Sequence, residues 1–297
     1  MLAFRCAIIA LLTATGVCLA RDHPKLPTTI PSDLESAKPW TFTLGGVTRG
    51  DTSKKQIALI FTGGDFGEGT SHILETLKAR NIKASIFVTG DFLRKPDYPA
   101  LIQHAIKDGH YVGPHSDSHP LYCPWEDRSK SLVTEEFFKA DLQKNIDDLR
   151  KLGALGRASL PASRGSAGAS PSRSDIIYFI PPYEWYNADQ VRWSREMNAL
   201  LFNFTPGSGS NRDWAPEDHK SFVPSQKIVD DILAYEQKDP HGLNGFLLLL
   251  HLGSQRKDKT FLLLGPLLDE LQRRGYSFTR IDEILRFRGN EDGDRNP

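Results

Sequence analysis

Residues 111–120 of the sequence, YVGPHSDSHP, decide how the rest of the chain is interpreted. They follow a short apolar run and carry His115 and His119, four positions apart, with Asp117 between them. On a single helical turn this spacing places both imidazoles on one side, within reach of one divalent ion. A catalytic metal site also needs a third protein ligand and an open position for water. The stretch therefore predicts part of a metal site, and a polar surface turn is the alternative.

Short apolar runs on both sides of this stretch alternate with amphipathic segments. The runs predict strands at residues 56–62, 84–89, 111–112, 176–180, 200–204, 245–250 and 276–279. The amphipathic segments predict a helix after residue 70 and further helices at 99–107, 134–152, 188–197, 225–237 and 260–274. Near-continuous apolar strands that alternate with helices are typical of a parallel sheet covered on both faces. Six or seven such units favour the α/β class and a closed barrel over an open sheet.

Polar residues fall where almost every predicted strand ends. They are Asp65, Thr89, His115, His119, Glu184, Asn203 and His251. Because the carboxyl ends of the strands meet at one face of a parallel barrel, we expect these side chains to gather there. This clustering favours the metal site over the surface turn.

Length and charge limit the classes of function. The chain has 297 residues, which suits one large α/β domain or two small ones, and its net charge at pH 7 is zero. A neutral chain has no electrostatic basis for binding nucleic acid or an anionic membrane. A neutral polymer or a small molecule is the expected partner.

Residues 1–20 have the pattern of a signal peptide, with a basic residue, an apolar core and small residues at the cleavage site. The pattern indicates a secreted or periplasmic protein, without an integral membrane segment once the signal is removed. The rest divides into an N-terminal leader at 21–54, a single barrel domain at 55–287 and a tail at 288–297. Inside the barrel, the Ser-, Ala-, Gly- and Arg-rich residues 158–173 predict a flexible surface insertion.

The sequence resembles the polysaccharide deacetylases, a carbohydrate esterase family with a deformed (β/α)7 barrel. Four segments carry the likeness. Residues 57–74 contain a strand, an acidic glycine-rich loop and a threonine, and residues 115–120 read HSDSHP. Residues 181–183 read PPY, and residues 249–251 read LLH. The histidine motif and the terminal Leu-His together make the likeness specific.

The resemblance implies a mechanism and a set of roles. In that family two histidines and an aspartate hold a divalent metal that polarises the acetyl carbonyl and activates its water. An aspartate acts as the base, and a histidine after the last strand protonates the leaving group. Carried over by position, His115 and His119 are metal ligands and His251 is the acid.

The first motif departs from the family pattern. Thr62 and Gly63 stand where the family has two aspartates, and Ile180 or Phe179 stands where it has an arginine that orients the base. Either the site is inactive and the barrel survives as a binding module, or the carboxylate has moved. We favour the second hypothesis, with Asp65 as the third metal ligand, because the base and its arginine are missing together.

The base is not assigned by the sequence. Asp65 remains a candidate if the third ligand comes from elsewhere, and Glu184, in a loop expected at the barrel mouth, is another. Asp117 is a weaker candidate for the base, since His115 and His119, two positions before and after it, take the ligand positions.

Aromatic residues in the same loops suit a saccharide cleft, because aromatic faces stack on sugar rings. We expect Tyr183 and Trp185 to contact substrate, with Asn203 as a hydrogen-bonding residue. Packing at the top of the barrel is the alternative for about half of the loop aromatics.

The sequence therefore predicts a secreted metal-dependent hydrolase that removes N- or O-acetyl groups from a polysaccharide or other glycan. Zinc is the expected ion, and nickel, cobalt or iron would suit the same ligands. The alternatives are a catalytically degenerate carbohydrate-binding barrel and a metal-dependent hydrolase of another C–N or C–O bond.

Overall fold

A computed structural model describes Ile30 and residues 34–37, 39–155 and 176–286 of the chain. The segments predicted as signal peptide (1–20), surface insertion (158–173) and tail (288–297) lie outside the described residues.

The described residues form short strands that alternate with helices, as the sequence predicts. The strands are β1 (Thr41–Thr43), β2 (Gly46–Arg49), β3 (Gln56–Gly63), β4 (Ser85–Val88), β5 (Tyr111–Pro114), β6 (Ile177–Phe179), β7 (Ala199–Leu201), β8 (Phe246–His251) and β9 (Ser277–Thr279). The helices are α1 (Leu34–Ala37), α2 (Thr70–Ala79), α3 (Gly90–Leu93), α4 (Tyr98–Lys107), α5 (Glu135–Lys151), α6 (Ala188–Glu196), α7 (Ser225–Lys238), α8 (Leu264–Arg273) and α9 (Ile281–Ile284). Short 3-10 turns occupy Pro182–Glu184, Ser210–Trp214 and Thr260–Leu263.

Strand β3 is the centre of a parallel sheet with the order β5-β4-β3-β8. One edge of β3 pairs with β8 along residues 57–62. The other edge is shared, because β4 pairs with residues 60–63 and β9 pairs with residues 56–58. Strands β6 and β7 form a second parallel pair.

The second pair completes a curved wall. On one side, Val47 of β2 bridges to Phe202 after β7, and the Thr205 amide donates to the Leu247 carbonyl of β8. On the other side, the Tyr178 amide of β6 donates to the Tyr111 hydroxyl of β5 at 2.9 Å. The parallel α/β architecture is therefore confirmed. Strand β2, which lies inside the predicted leader, is part of this wall.

Both faces of the central strands are buried, which explains their unbroken apolar sequence. In β3, Ala58 and Ile60 contact the cluster that fills the barrel interior, whereas Ile57, Leu59 and Phe61 pack outward against the helices. The same alternation runs through β8, where Leu247 and Leu249 face inward. Because side chains alternate along a strand, the next inward positions are Thr62 and His251.

Helix α5 begins where its sequence predicts. The Thr134 hydroxyl accepts a hydrogen bond from the Phe137 amide and caps the helix, and Glu135 and Glu136 occupy its first turn. None of the described helices is long and apolar enough to cross a lipid bilayer.

Candidate active site

The interior faces of β3 and β8 end in polar residues that lie side by side. Thr62 and His251 are register partners in the parallel pair. The Thr62 hydroxyl is buried and has no hydrogen-bond partner among the described residues. Because buried polar atoms are rarely left unpaired, this position marks a place where a ligand or water belongs.

His251 is held in one orientation by Asp213, from the 3-10 turn Ser210–Trp214. The Asp213 carboxylate accepts the His251 backbone amide at 2.9 Å and lies 2.6 Å from Nδ1 of the ring. Burial alone would lower the pKa of His251, but the charges of Asp213 and Glu184 outweigh it, so the pKa is raised. The pair fixes Nδ1 as the protonated nitrogen and leaves Nε2 for chemistry.

The histidine stretch is not a helical turn, so the expected geometry is wrong although the two rings do meet. Strand β5 ends at Pro114, and residues 115–119 form an irregular turn with Ser116 at φ 71° and His119 at φ 52°. The ring centroids of His115 and His119 are 5.0 Å apart. Two left-handed residues thus achieve the proximity that helical spacing was expected to provide.

Helix α5 holds this turn from behind. Asp141 accepts the amides of Asp117 and Ser118 at 3.0 and 3.1 Å, and Asn145 accepts the His115 amide at 2.9 Å. Asp141 and Asn145 are buried and one helical turn apart, so they lie on one face of α5.

Both histidines of the turn are neutral, with His115 buried and His119 half-buried. Burial lowers the pKa of His115 well below its usual value, and the neighbouring charge of His119 adds to the effect. Burial also lowers the pKa of His119 to about 4. The His115 Nδ1 lies 2.9 Å from the Ile180 carbonyl, to which it donates, so the Nε2 lone pair faces the site.

Glu184 is a buried carboxyl group beside this lone pair. Its side chain is 12% exposed, and Oε1 lies 3.9 Å from Nε2 of His115. Burial raises its pKa to about 7, which the charge of His251 counteracts and that of Asp213 reinforces. Tyr183 and Glu184 both adopt positive φ, at 57° and 52°, an uncommon conformation for two successive residues that are not glycine.

Asp65 and Asp117 pair with basic side chains. The side chain of Asp65 is 86% exposed, 4.0 Å from Lys95, although its charge still acts on His119. Asp117 is bound at 2.7 Å by both Arg94 and Lys144. Burial would raise the pKa of Asp117, but these hydrogen bonds lower it overall. Asp117 is therefore part of an ion-pair network.

The predicted substrate residues divide into two groups. Tyr183 is 46% exposed, and its ring packs against that of His119 at a tilt of 51°, with the ring centroids 4.3 Å apart. Trp185 lies 5.4 Å from the exposed ring of Trp125, so these aromatics form a shelf beside the histidines. Asn203 is used within the protein, because its amide donates to the Glu184 carbonyl at 2.7 Å and its oxygen accepts the Phe204 amide.

The donor atoms suit a divalent first-row ion. Two neutral imidazoles, a carboxylate and an unpaired threonine hydroxyl are typical nitrogen and oxygen donors for such ions. In the part of the chain that the structure describes, no three His, Cys, Asp or Glu side chains already converge closely enough to hold a metal. The two histidines lie together, and a metal site built on them would require a carboxylate to move towards them.

The sequence did not identify Asp213, Asp141 or Asn145. Asp213 lies in the long polar loop after β7, where nothing distinguishes it from the nearby acids Glu217 and Asp218. Asp141 and Asn145 do carry a signal, because they occupy apolar positions in the repeat of an otherwise amphipathic helix.

These elements define a parallel α/β barrel with a histidine and carboxylate site at the carboxyl ends of its strands. Residues 49–175 match the family model described as polysaccharide deacetylase. This part of the chain is similar to the polysaccharide deacetylases, and relatives from Bacillus cereus and Bacillus subtilis are named as peptidoglycan deacetylases. The predicted resemblance and barrel fold are confirmed at this level, and the enzyme class of these relatives is the predicted one.

Several known proteins are similar to the chain. An uncharacterized 30.6 kDa protein of Geobacillus stearothermophilus is 28% identical over 84% of this chain and 80% of that protein. Peptidoglycan-N-acetylmuramic acid deacetylase PdaA of Bacillus subtilis is 23% identical over 80% of this chain and 73% of its own length. The PdaA structure, a family 4 carbohydrate esterase, superposes with a TM-score of 0.60 at 20% identity, covering 82% of this chain and 85% of PdaA.

A family 4 pseudoenzyme from Bacillus anthracis has the same fold. Its structure superposes with a TM-score of 0.60 at 17% identity, covering 82% of this chain and 70% of the pseudoenzyme. This likeness concerns the fold alone.

Proposed function

We propose that the chain is a secreted or periplasmic metal-dependent hydrolase that removes acetyl groups from a polysaccharide. The observation that carries the proposal is the His251–Asp213 pair, which faces the two neutral histidines, His115 and His119, across the end of the barrel. An oriented imidazole next to free imidazole lone pairs combines an acid with a metal-binding element. The match of residues 49–175 to the polysaccharide deacetylase model supports the same reaction class.

His115 and His119 would hold the metal, with a carboxylate from Asp65 or Glu184 as the third ligand. When bound, the metal would polarise the acetyl carbonyl and lower the pKa of its water. Zinc is the first ion to test, followed by nickel, cobalt and iron.

The protein's own groups would move two protons. As water adds to the acetyl carbon, its proton passes to a carboxylate, Asp65 or Glu184. As the C–N or C–O bond breaks, the imidazolium of His251 gives its proton to the leaving nitrogen or oxygen. Asp213 stabilises the protonated ring throughout. The products are acetate and a free amine or hydroxyl on the sugar.

Tyr183 and Trp185 would bind sugar rings by stacking beside this site, and Asn203 would support the loop rather than the substrate. Acetylated peptidoglycan is the first substrate to test, because PdaA is a peptidoglycan deacetylase. Acetylated chitin and xylan fragments are the next substrates. A zero net charge at pH 7 gives no reason to expect a nucleic-acid partner.

The test is acetate release by the metal-loaded protein. The variant His251→Gln should reduce the rate by about 10²–10⁴-fold, the usual contribution of a positioned acid. The matched control His241→Gln changes an exposed histidine before the opposite end of β8 and should leave the rate unchanged. Equal rates in wild type and His251→Gln would contradict the assigned acid.

A carbohydrate-binding barrel without activity is the second candidate. The replacement of both first-motif aspartates by Thr62 and Gly63 favours it, and so does the exposed aromatic shelf. Glycan binding without acetate release, under metal-replete conditions and across all three substrates, would establish this candidate and exclude the hydrolase.

A further inference from the structure

We propose that Glu184 supplies the carboxylate ligand of the metal site in place of the missing first-motif aspartates. The ligand set would then be two histidines from the turn after β5 and one glutamate from the turn after β6. This inference rests on the proposed function and decides which of its two candidate carboxylates is the third ligand.

The original position can no longer carry an acidic side chain at residue 63. A Cβ atom at Gly63 would lie 2.8 Å from Leu252 and 2.8 Å from the Phe92 ring. Both neighbours are fully buried, so neither can give way without disturbing the core. Thr62, the other replaced position, offers a hydroxyl and no charge. The end of β3 therefore provides no carboxylate, and a metal at this site would need one from another segment.

Glu184 is close enough to His115 to supply this carboxylate. Two ligands bound at about 2.1 Å to one tetrahedral ion stand about 3.4 Å apart. The Glu184 Oε1 and His115 Nε2 atoms are 3.9 Å apart, so a shift of about half an ångström brings both to one ion. The His115 lone pair already faces this gap, because its other ring nitrogen donates to the Ile180 carbonyl.

The backbone is arranged to point this side chain inward. Successive left-handed residues, Tyr183 and Glu184, place one side chain on the exposed shelf and the other inside the site. The Asn203 side chain holds the turn by donating to the Glu184 carbonyl at 2.7 Å. A non-glycine residue in this conformation is strained, and such strain persists where the surrounding structure holds it in place, typically at functional sites.

Asp65 is less well placed than Glu184 to be the third ligand. Its carboxylate is 86% exposed on the loop after β3, with Lys95 as its ion-pair partner. Glu184 already approaches His115, whereas Asp65 would have to leave solvent and its partner to reach the histidines.

The experiment measures Co²⁺ affinity and stoichiometry in the full-length protein, with three variants. Glu184→Gln and Asp65→Asn make the same carboxylate-to-amide change at the two candidate ligands. We expect wild type to bind about one Co²⁺ per chain. Loss of a residue that only orients a ligand weakens metal binding by up to about 100-fold. Glu184→Gln should weaken Co²⁺ binding by more than that, because it removes a ligand. Asp65→Asn should change the affinity by less than about threefold.

The third variant, Glu184→Gly, separates ligand loss from misfolding. Glycine adopts positive φ without strain, so the Tm of the metal-free protein should rise by about 2–4 °C while Co²⁺ binding is lost. A protein that is more stable and yet cannot bind metal cannot be dismissed as unfolded.

Three results would overturn the proposal: wild-type affinity in Glu184→Gln, a large loss in Asp65→Asn alone, or no Co²⁺ bound by wild type. Acetate release measured in parallel separates the ligand assignment from the proposed reaction. Release by wild type together with unchanged affinity in Glu184→Gln refutes the ligand assignment and leaves the deacetylase intact. Glu184-dependent binding without release from any substrate supports the ligand and refutes the deacetylase.

Discussion

Asp213 shows how one residue can define the role of another. Its carboxylate contacts both the backbone amide and the Nδ1 atom of His251, so the ring cannot rotate without losing both contacts. Its own side chain is 5% exposed. In this low-dielectric setting Asp213 orients the His251 ring and stabilises its charged form.

We expect Asp213→Asn to lower kcat by about 10²–10⁴-fold with little change in KM, because the acid loses its charge partner while the substrate shelf is untouched. Steady-state kinetics of acetate release measures both constants. Asp218→Asn, a change to another acid of the same loop, is the control. A rise in KM at constant kcat would show instead that Asp213 serves substrate binding.

His110 gives a pH prediction that is independent of the active site. Its Nδ1 accepts the Ala84 amide at 3.0 Å, and the residue is 6% exposed. Burial lowers its pKa to about 4, and the nearby charge of Lys83 acts in the same direction. Because the unfolded chain takes up this proton near pH 6.5 and the folded chain only near pH 4, stability is lost as the pH falls between them.

Urea unfolding at pH 7.5 and pH 5 tests this linkage. Wild type should lose about 1–2 kcal/mol more than His110→Asn between these pH values, whatever the variant's stability at pH 7.5. The exposed residue His241 provides the control, since His241→Asn should keep the wild-type pH dependence. Parallel pH dependences in wild type and His110→Asn would contradict the assignment.

At the scale of elements, α5 forms the rigid back of the histidine turn. Its buried polar residues Asp141 and Asn145 bind backbone amides on either side of Ser116. A turn that contains two left-handed residues needs such fixed acceptors, since its own backbone forms no regular ladder. Helical packing therefore controls the geometry of His115 and His119.

Asn145→Ala should remove the acceptor of the His115 amide and destabilise the fold by about 1–3 kcal/mol. Metal affinity should fall by about 10–100-fold, the range for residues that orient a ligand. Denaturant unfolding of the metal-free protein and Co²⁺ titration measure the two effects.

Gln143→Ala makes the same type of change on the exposed face of α5 and should alter neither quantity appreciably. Normal Co²⁺ affinity in Asn145→Ala would show that the turn keeps its shape without this contact.

Over the whole molecule, the wall between β5 and β6 is joined by a side chain. The Tyr111 hydroxyl accepts the Tyr178 amide, and the two rings pack edge to face at 5.7 Å. The same wall carries His115 directly after one strand and Glu184 after the other. The distance between these site residues therefore depends on this junction.

Tyr111→Phe should leave the Tyr178 amide unpaired and cost about 1–3 kcal/mol in the free energy of unfolding. Denaturant unfolding measures this cost. Tyr98→Phe is the control, because half-buried Tyr98 contacts Phe92 through its ring and should lose less than about 0.5 kcal/mol. Equal stability of Tyr111→Phe and wild type would show that another group pairs with the amide.

Much of the fold was predictable because its signals are local. Strands buried on both faces must be apolar throughout, so β3 and β8 are visible as unbroken runs. Strand β2 was missed, since four residues with one valine carry no periodic signal. The histidine pair and His251 were found because their positions follow strands.

The sequence by itself determined the α/β barrel, the likeness to the polysaccharide deacetylases and the gathering of histidines at one end of the strands, because periodicity and motif spacing are properties of neighbouring residues. Only the tertiary structure decided which acids lie beside them. It brought Glu184 beside His115, paired Asp213 with His251 and left Asp65 exposed. These outcomes depend on left-handed turns and on contacts between residues far apart in the chain, such as that of Asn203 with Glu184. No local pattern encodes such contacts, because they form only when the barrel closes.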